Sequence, residues 1–101
     1  RRESLADTYD ELLVGLPVTC PVRVAGVRSS WHLYAIELQG TVSRAAVFNA
    51  MRAAGIGVNV HYIPIHTQPY YTQRGFRRGD FPAAERYYER ALSLPLFPAM
   101  T

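Results

Sequence analysis

The apolar positions of this 101-residue chain fall into short periodic runs separated by proline and glycine. Leu5, Tyr9, Leu12, Leu13 and Leu16 follow the i, i+4, i+7, i+8 spacing of one helical face. They predict a helix over 4–14, with Ser4 as its cap, Asp7 in its first turn, and Gly15 and Pro17 at its end. Residues 17–30 (PVTCPVRVAGVRSS) read as a loop with a short extended piece. Trp31–Leu38 (WHLYAIEL) is aromatic-rich, closes on Gln39-Gly40, and reads as a strand. Trp31, Leu33 and Ala35 share one face, and His32, Tyr34 and Ile36 the other. Both faces are largely apolar, so cover from both sides is expected.

Val47, Ala50, Met51 and Ala54 predict a second helix over 43–54. Ser43 or Thr41 caps its start, and Gly55 supplies a left-handed stop. Ile56–Ile63 reads as a second strand that ends at Pro64, which has no N–H to give to a ladder. Val58, Val60 and Tyr62 would point one way, and Gly57, Asn59, His61 and Ile63 the other. Residues 64–81 form a long loop, a class that is usually functional or disordered. Its tyrosines argue against disorder. Pro82 suits a first helical turn, and Ala84, Tyr87, Tyr88 and Ala91 extend a third helix over 82–92. The apolar segment LSLPLFPAMT follows as an extended tail.

This order predicts an α+β fold, a two-layer α/β arrangement with a small sheet and helices packed on it. The strand–helix–strand stretch is expected to cross over right-handed. Residues 1–101 form a single small domain, with a lead-in helix over 1–16 and an α/β core over 31–98. Few helices cover so small a sheet, and such sheets are marginal alone. A truncated piece of a larger fold is therefore expected.

Net charge is +3, and every one of the eleven cationic residues is arginine. The arginines are spread along the chain, with Arg74, Arg77 and Arg78 the densest inner group, so nucleic acid is not the expected partner. No apolar run reaches the ~20 residues of a bilayer span, so no membrane partner is expected either. A single cysteine, Cys20, excludes an internal disulfide and fits a reducing cytoplasm. The lack of lysine excludes any chemistry that needs a side-chain amine.

The richest stretch is GVNVHYIPIHTQPYY, Gly57 to Tyr71, with two histidines, three tyrosines and two prolines. His61 and His66 could reach one metal, but Glu37 and Asp80, the nearest acids, stand in no recognised ligand spacing. The plainer alternative is a strand histidine bonded to backbone and a loop histidine in solvent. A ligand-contact role rests on the clustering of both rings with Tyr62, Tyr70 and Tyr71. Cys20 and the serines show no nucleophile–base–acid arrangement. Tyr87 and Tyr88 read as core or interface. Glu85, Arg86, Glu89 and Arg90 read as a solvated helical face.

The strings SSWHLYAIEL, VFNAMRAAGIGVNVHYIPIHTQPYY and GDFPAAERYYERALSLPLFPAMT together closely resemble the C-terminal part of the pyridoxal-phosphate-dependent sugar-nucleotide aminotransferases, fold type I, of the DegT/DnrJ/StrS group. Within that group they are most similar to the altrosamine transaminases on the route to pseudaminic acid. The resemblance implies a cytoplasmic homodimer that moves an amino group from glutamate to a 4-keto nucleotide-sugar. It implies a large N-terminal domain, absent here, carrying the cofactor-bonding lysine and most of the phosphate cup. The chain alone is then expected to be inactive and to bind no pyridoxal phosphate. Carried onto this sequence, His61, Tyr62, His66, Gln68 and Tyr70 are implied substrate contacts, with His32 and Tyr34 packed beneath. Two rival readings stand beside this one. The first is a free-standing module for a sugar nucleotide or another anion. The second is an interaction fragment that pairs with another chain.

Overall fold

The computed structural model describes residues 1–101. The elements are α1 (Arg2–Leu12), β1 (Val18–Thr19), β2 (Tyr34–Leu38), α2 (Arg44–Ala53), a 3-10 turn (Ile65–Thr67), α3 (Pro69–Thr72), α4 (Pro82–Arg90) and β3 (Ala91–Leu94). The fold is α+β, as the sequence pattern predicts. One antiparallel sheet runs β1-β2-β3, with Val18 opposite Leu38 and Tyr34 opposite Leu94.

The sheet differs from the expected one in its third member. Ile56–Ile63 does not form a strand. Only Asn59 pairs, in an isolated bridge with Ser93: Ser93 N–H donates to the Asn59 carbonyl at 2.8 Å, and Asn59 N–H returns the bond at 3.1 Å. The true third strand is Ala91–Leu94, which the sequence assigns to the end of a helix and an extended tail. The pattern around Ala84–Ala91 suits a helix up to Arg90, and there the backbone turns extended at Ala91. All four residues of β3 are buried, Ser93 included, so its burial does not alternate as a half-exposed strand's does. Because β2 and β3 are antiparallel, the sheet contains no parallel strand pair for a right-handed crossover.

Smaller shifts have local causes. Helix α1 starts at Arg2, so Ser4 lies inside it and caps nothing; no side chain caps this end. Its inward face is Leu5, Ala6, Tyr9 and Leu13, whereas Leu12 and Leu16 are exposed. Strand β2 begins at Tyr34 rather than Trp31, because Trp31 sits at φ +48° and breaks the extended run. Along β2, Tyr34, Ile36 and Leu38 are buried while Ala35 and Glu37 are half-covered. His32 is exposed, so it does not pack beneath the implied substrate contacts as expected. Helix α2 is capped as predicted: Ser43 Oγ accepts from Ala46 N–H at 3.3 Å, and Gly55 takes φ +80° after it.

The core is small, with 12 of 101 residues buried, and it sits where α1 and the α2 face meet β2 and β3. Tyr34, Leu92 and Val58 are its largest fully enclosed side chains. Each such burial contributes about 1.5–3 kcal/mol. A polar tie closes one edge. Tyr34 donates its hydroxyl to Asp10 Oδ1, Arg23 donates Nε to Asp10 Oδ2 at 2.7 Å, and Arg23 also reaches Asp7 at 2.7 Å. Burial, then the Asp10 bond, pushes the Tyr34 hydroxyl pKa up. Tyr34 therefore stays protonated as a donor at any ordinary pH.

Candidate functional site

The segment from His61 to Tyr71 leaves the sheet edge and doubles back as a lip. Pro64 fixes the entry to the 3-10 turn, and Pro69 starts α3, so the chain bends twice within eight residues. The His61–Tyr62 peptide is cis.

Both histidines are held, and neither in the way the plainer reading supposes. His61 is half-buried, and its Nδ1 lies 2.8 Å from the Ser93 hydroxyl of β3, a side chain rather than a backbone group. His66 is not a solvent-facing loop residue but is only 6% exposed. Its Nε2 lies 2.8 Å from Glu85 Oε1, and its ring rests on Phe81 with centroids 4.8 Å apart. The same Glu85 oxygen accepts the Gly79 N–H at 2.7 Å. The His66 bond first, and then the Gly79 bond, hold the Glu85 carboxyl below the usual carboxylate range. Glu85 thus leaves the solvated face assigned to it; its side chain is 17% exposed.

The remaining candidates stand outward. Tyr62 is 73% exposed, with its ring edge-on to His61 at 4.6 Å. Gln68 is exposed, and its carbonyl accepts from Tyr71 and Thr72 at the start of α3. Tyr70 is exposed and lies under the Arg74 guanidinium at 4.4 Å. One lip therefore carries all five predicted residues, but no hydrogen bond links His61, His66 and Tyr70 to one another. A largely apolar cleft of about 440 Å³ adjoins the lip, lined by Ile65, His66, Tyr71, Phe76, Phe81 and Ala84. Of the five predicted residues only His66 reaches it. No group of three or more His, Cys, Asp and Glu side chains converges anywhere on the chain.

Ser93 and Glu85 are the residues that sequence reasoning missed. Ser93 was hidden in an apolar tail and Glu85 in a charged run. The only signal for Glu85 was its place in the first turn of a helix that opens on Pro82, beside a glycine-bearing loop.

The arrangement can present hydroxyl, imidazole and amide groups, with flat apolar faces, to a polar ring compound. It offers no side-chain amine, so the residues present do not fit covalent attachment of pyridoxal phosphate.

The chain is 39% identical over its whole length to the spore coat polysaccharide biosynthesis protein SpsC of Bacillus subtilis, of which it covers 28%. Its structure superposes on the putative sugar aminotransferase Spr1654 of Streptococcus pneumoniae with a TM-score of 0.92 at 30% identity, covering 99% of this chain and 26% of that one. Spr1654 has been solved in forms with pyridoxal phosphate (PLP) and with its amine counterpart, PMP. Helicobacter pylori PseC, an aminotransferase involved in the biosynthesis of pseudoaminic acid, superposes with a TM-score of 0.82 at 31% identity, covering 94% of this chain and 26% of that one. The chain thus spans little more than a quarter of the length of these relatives, and it matches their C-terminal part. The model of the DegT/DnrJ/EryC1/StrS aminotransferase family matches residues 1–101, and the chain belongs to that family.

Proposed function

We propose that residues 1–101 are the small C-terminal domain of a pyridoxal-phosphate-dependent aminotransferase acting on a nucleotide-linked sugar. The observation that carries this reading is a family match along the whole chain, to about a quarter of each relative, in a sequence without lysine. The amino group passes from glutamate to a 4-keto sugar, and the lip contributes to the sugar-nucleotide pocket. Tyr62, Gln68 and Tyr70 make outward contacts. His61 and His66 each commit one ring nitrogen to the scaffold and have the other for ligand. Likeness to PseC supports a sugar of the pseudaminic acid type. The cofactor lysine comes from the rest of the enzyme, which works in the cytoplasm as a homodimer.

The test has two arms. The isolated chain, incubated with pyridoxal phosphate and borohydride, gains no cofactor mass on any side chain and turns over no 4-keto nucleotide sugar. Titration with a uridine-diphosphate sugar shifts the ring signals of Tyr62 and Tyr70. Turnover by the chain alone refutes the domain assignment. Tyrosine signals that stay in place under saturating sugar nucleotide refute the pocket assignment.

A second reading, pairing with another polypeptide, is favoured by one observation. Leu12, Val14, Leu16, Ile56 and Phe97 are 40–79% exposed, and the radius of gyration is 15.4 Å against about 13 Å for a compact domain of ~100 residues. Light scattering across a dilution series tests it: a mass that rises with concentration supports pairing, and a constant monomer mass refutes self-pairing.

A further inference from the structure

Glu85 belongs to none of the expected contacts, yet it stands behind most of them. Its Oε1 receives two donors from separate segments. One is His66 Nε2, on the turn that follows the lip histidine-tyrosine pair. The other is the Gly79 N–H, at the far end of the loop that carries Arg74, Arg77 and Arg78. A single oxygen on a rigid helix thus closes Ile65–Gly79 into a loop with both ends fixed. Between those ends lie Gln68, Tyr70 and the three arginines. Arg74 already packs over Tyr70, and Arg77 sits loosely beside Asp80 at 3.8 Å while remaining largely exposed. The His66 bond first, and then the Gly79 bond, hold the Glu85 carboxyl below the usual carboxylate range, so the acceptor stays available across the neutral range.

We infer that Glu85 is a positioning residue for this site: it sets the conformation of residues 65–79, and through them the affinity for an anionic sugar nucleotide, without touching that ligand. The inference rests on the proposed function for its ligand but not for the latch itself. Three features give it force. The two donors stand on different segments, and His66 is 19 residues from the acceptor it meets. His66 is nearly enclosed, so loss of its partner leaves a buried polar ring nitrogen unmatched. And residues 68–81 are exposed, with little buried surface of their own to hold them in place.

The experiment compares the wild-type chain with Glu85→Gln and Glu85→Asp by amide hydrogen exchange, and by calorimetric titration with UDP-N-acetylglucosamine. Glu85→Gln keeps the shape but loses the charge and one acceptor's strength. Exchange at Gly79 and across 65–79 is expected to speed at least about tenfold, while the amides of Ile36 and Leu92 in the sheet keep their rates. Affinity for the nucleotide sugar is expected to fall about tenfold. Glu85→Asp, which retains the charge on a shorter arm, is expected to recover part of both. A role in global stability alone would speed the sheet amides together with the loop, and that result overturns the proposal. Loop exchange left unchanged in Glu85→Gln overturns the latch and leaves the sugar-nucleotide reading intact. Faster loop exchange with unaltered affinity overturns the positioning role. Wild-type chain that binds no nucleotide sugar counts against the proposed pocket and with it the positioning role, while the exchange arm still decides whether Glu85 holds the loop.

Discussion

Replacing Ser93 by alanine isolates one bond between the sheet and the lip. Ser93 is buried on β3, and its backbone pairs with β2 on one side and with Asn59 on the other. Neither pairing uses the side chain, so both survive the substitution. What is lost is the 2.8 Å contact between Ser93 Oγ and His61 Nδ1. A neutral hydrogen bond of this kind contributes about 0.5–1.5 kcal/mol net, and a half-buried ring nitrogen left without a partner adds to that. The expected loss is roughly 1–2 kcal/mol, out of the 5–15 kcal/mol typical of a domain. In a domain of this size each kcal/mol moves the midpoint of thermal unfolding by about 4–8 °C, so a fall of roughly 5–15 °C is expected. Urea unfolding followed by circular dichroism should show a lower midpoint with the same slope, because the surface exposed on unfolding is unchanged. A double-mutant cycle with His61→Ala separates the bond from the general cost of each change. A coupling energy of at least about 0.5 kcal/mol is expected for residues in direct contact. Additive effects within error would refute the anchoring of His61 by Ser93, and with it the account of how the lip is attached.

Further outcomes follow from burial, capping, backbone geometry and charge. Leu92→Ala, at a fully enclosed strand position, should cost about 2–5 kcal/mol and abolish cooperative unfolding or bring it near room temperature, as read by calorimetry. Ser43→Ala should cost about 1 kcal/mol through loss of the α2 cap, visible as faster exchange at the Ala46 amide. Gly55→Ala forces a Cβ into a left-handed conformation and should cost about 1–2 kcal/mol, measured by urea unfolding, although no atom lies near enough to clash. The lowered Glu85 pKa gives a signed pH effect. Its stabilising contribution is complete above the unfolded carboxylate value of about 4.3 and is lost as pH falls through the lower folded value. The Gly79 amide signal should therefore titrate with a midpoint below about 4.3, and a midpoint at or above that value contradicts the bond.

Helices α1, α2 and α4 were legible because their signals are local, whereas the 3-10 turn and α3 lie in the stretch read as a loop. Ser43 and Gly55 bracket α2 by cap chemistry; of its predicted stripe Val47 and Met51 pack against the core, joined by Phe48, while Ala50 and Ala54 are exposed. The sheet was less legible because pairing is not local. Ile56–Ile63 has the β-branched residues and the alternation of a strand, but only Asn59 finds a partner. Ala-Leu-Ser-Leu is only four residues long and follows a helix without a glycine between them. It becomes a strand because β2 offers Tyr34 to Glu37 as pairing partners, a fact absent from its own residues. The candidate site divides in the same way. His61, Tyr62, His66, Gln68 and Tyr70 stand out by chemical type within one stretch. Their supports, Ser93 and Glu85, are ordinary residues whose meaning comes from contacts 32 and 19 positions away.

That division explains how the lip is tied to the scaffold while Tyr62 and Tyr70 stay exposed. Helix α4 and strand β3 run on without a break, from Pro82 to Leu94. This unit supplies Glu85 near one end and Ser93 near the other. His66 meets the first and His61 the second, so two histidines five residues apart are pinned to partners eight residues apart on one continuous support. A helix rises 1.5 Å per residue and a strand about 3.3 Å, so the distance between the two anchors is set by where helix gives way to strand. Moving that boundary by one residue would change the span the lip must bridge, and would turn Ser93 to the other face of the sheet. The helix-to-strand change at Ala91 therefore does more than complete the sheet. It also fixes the separation of the two anchors, Glu85 and Ser93, to which His66 and His61 are tied.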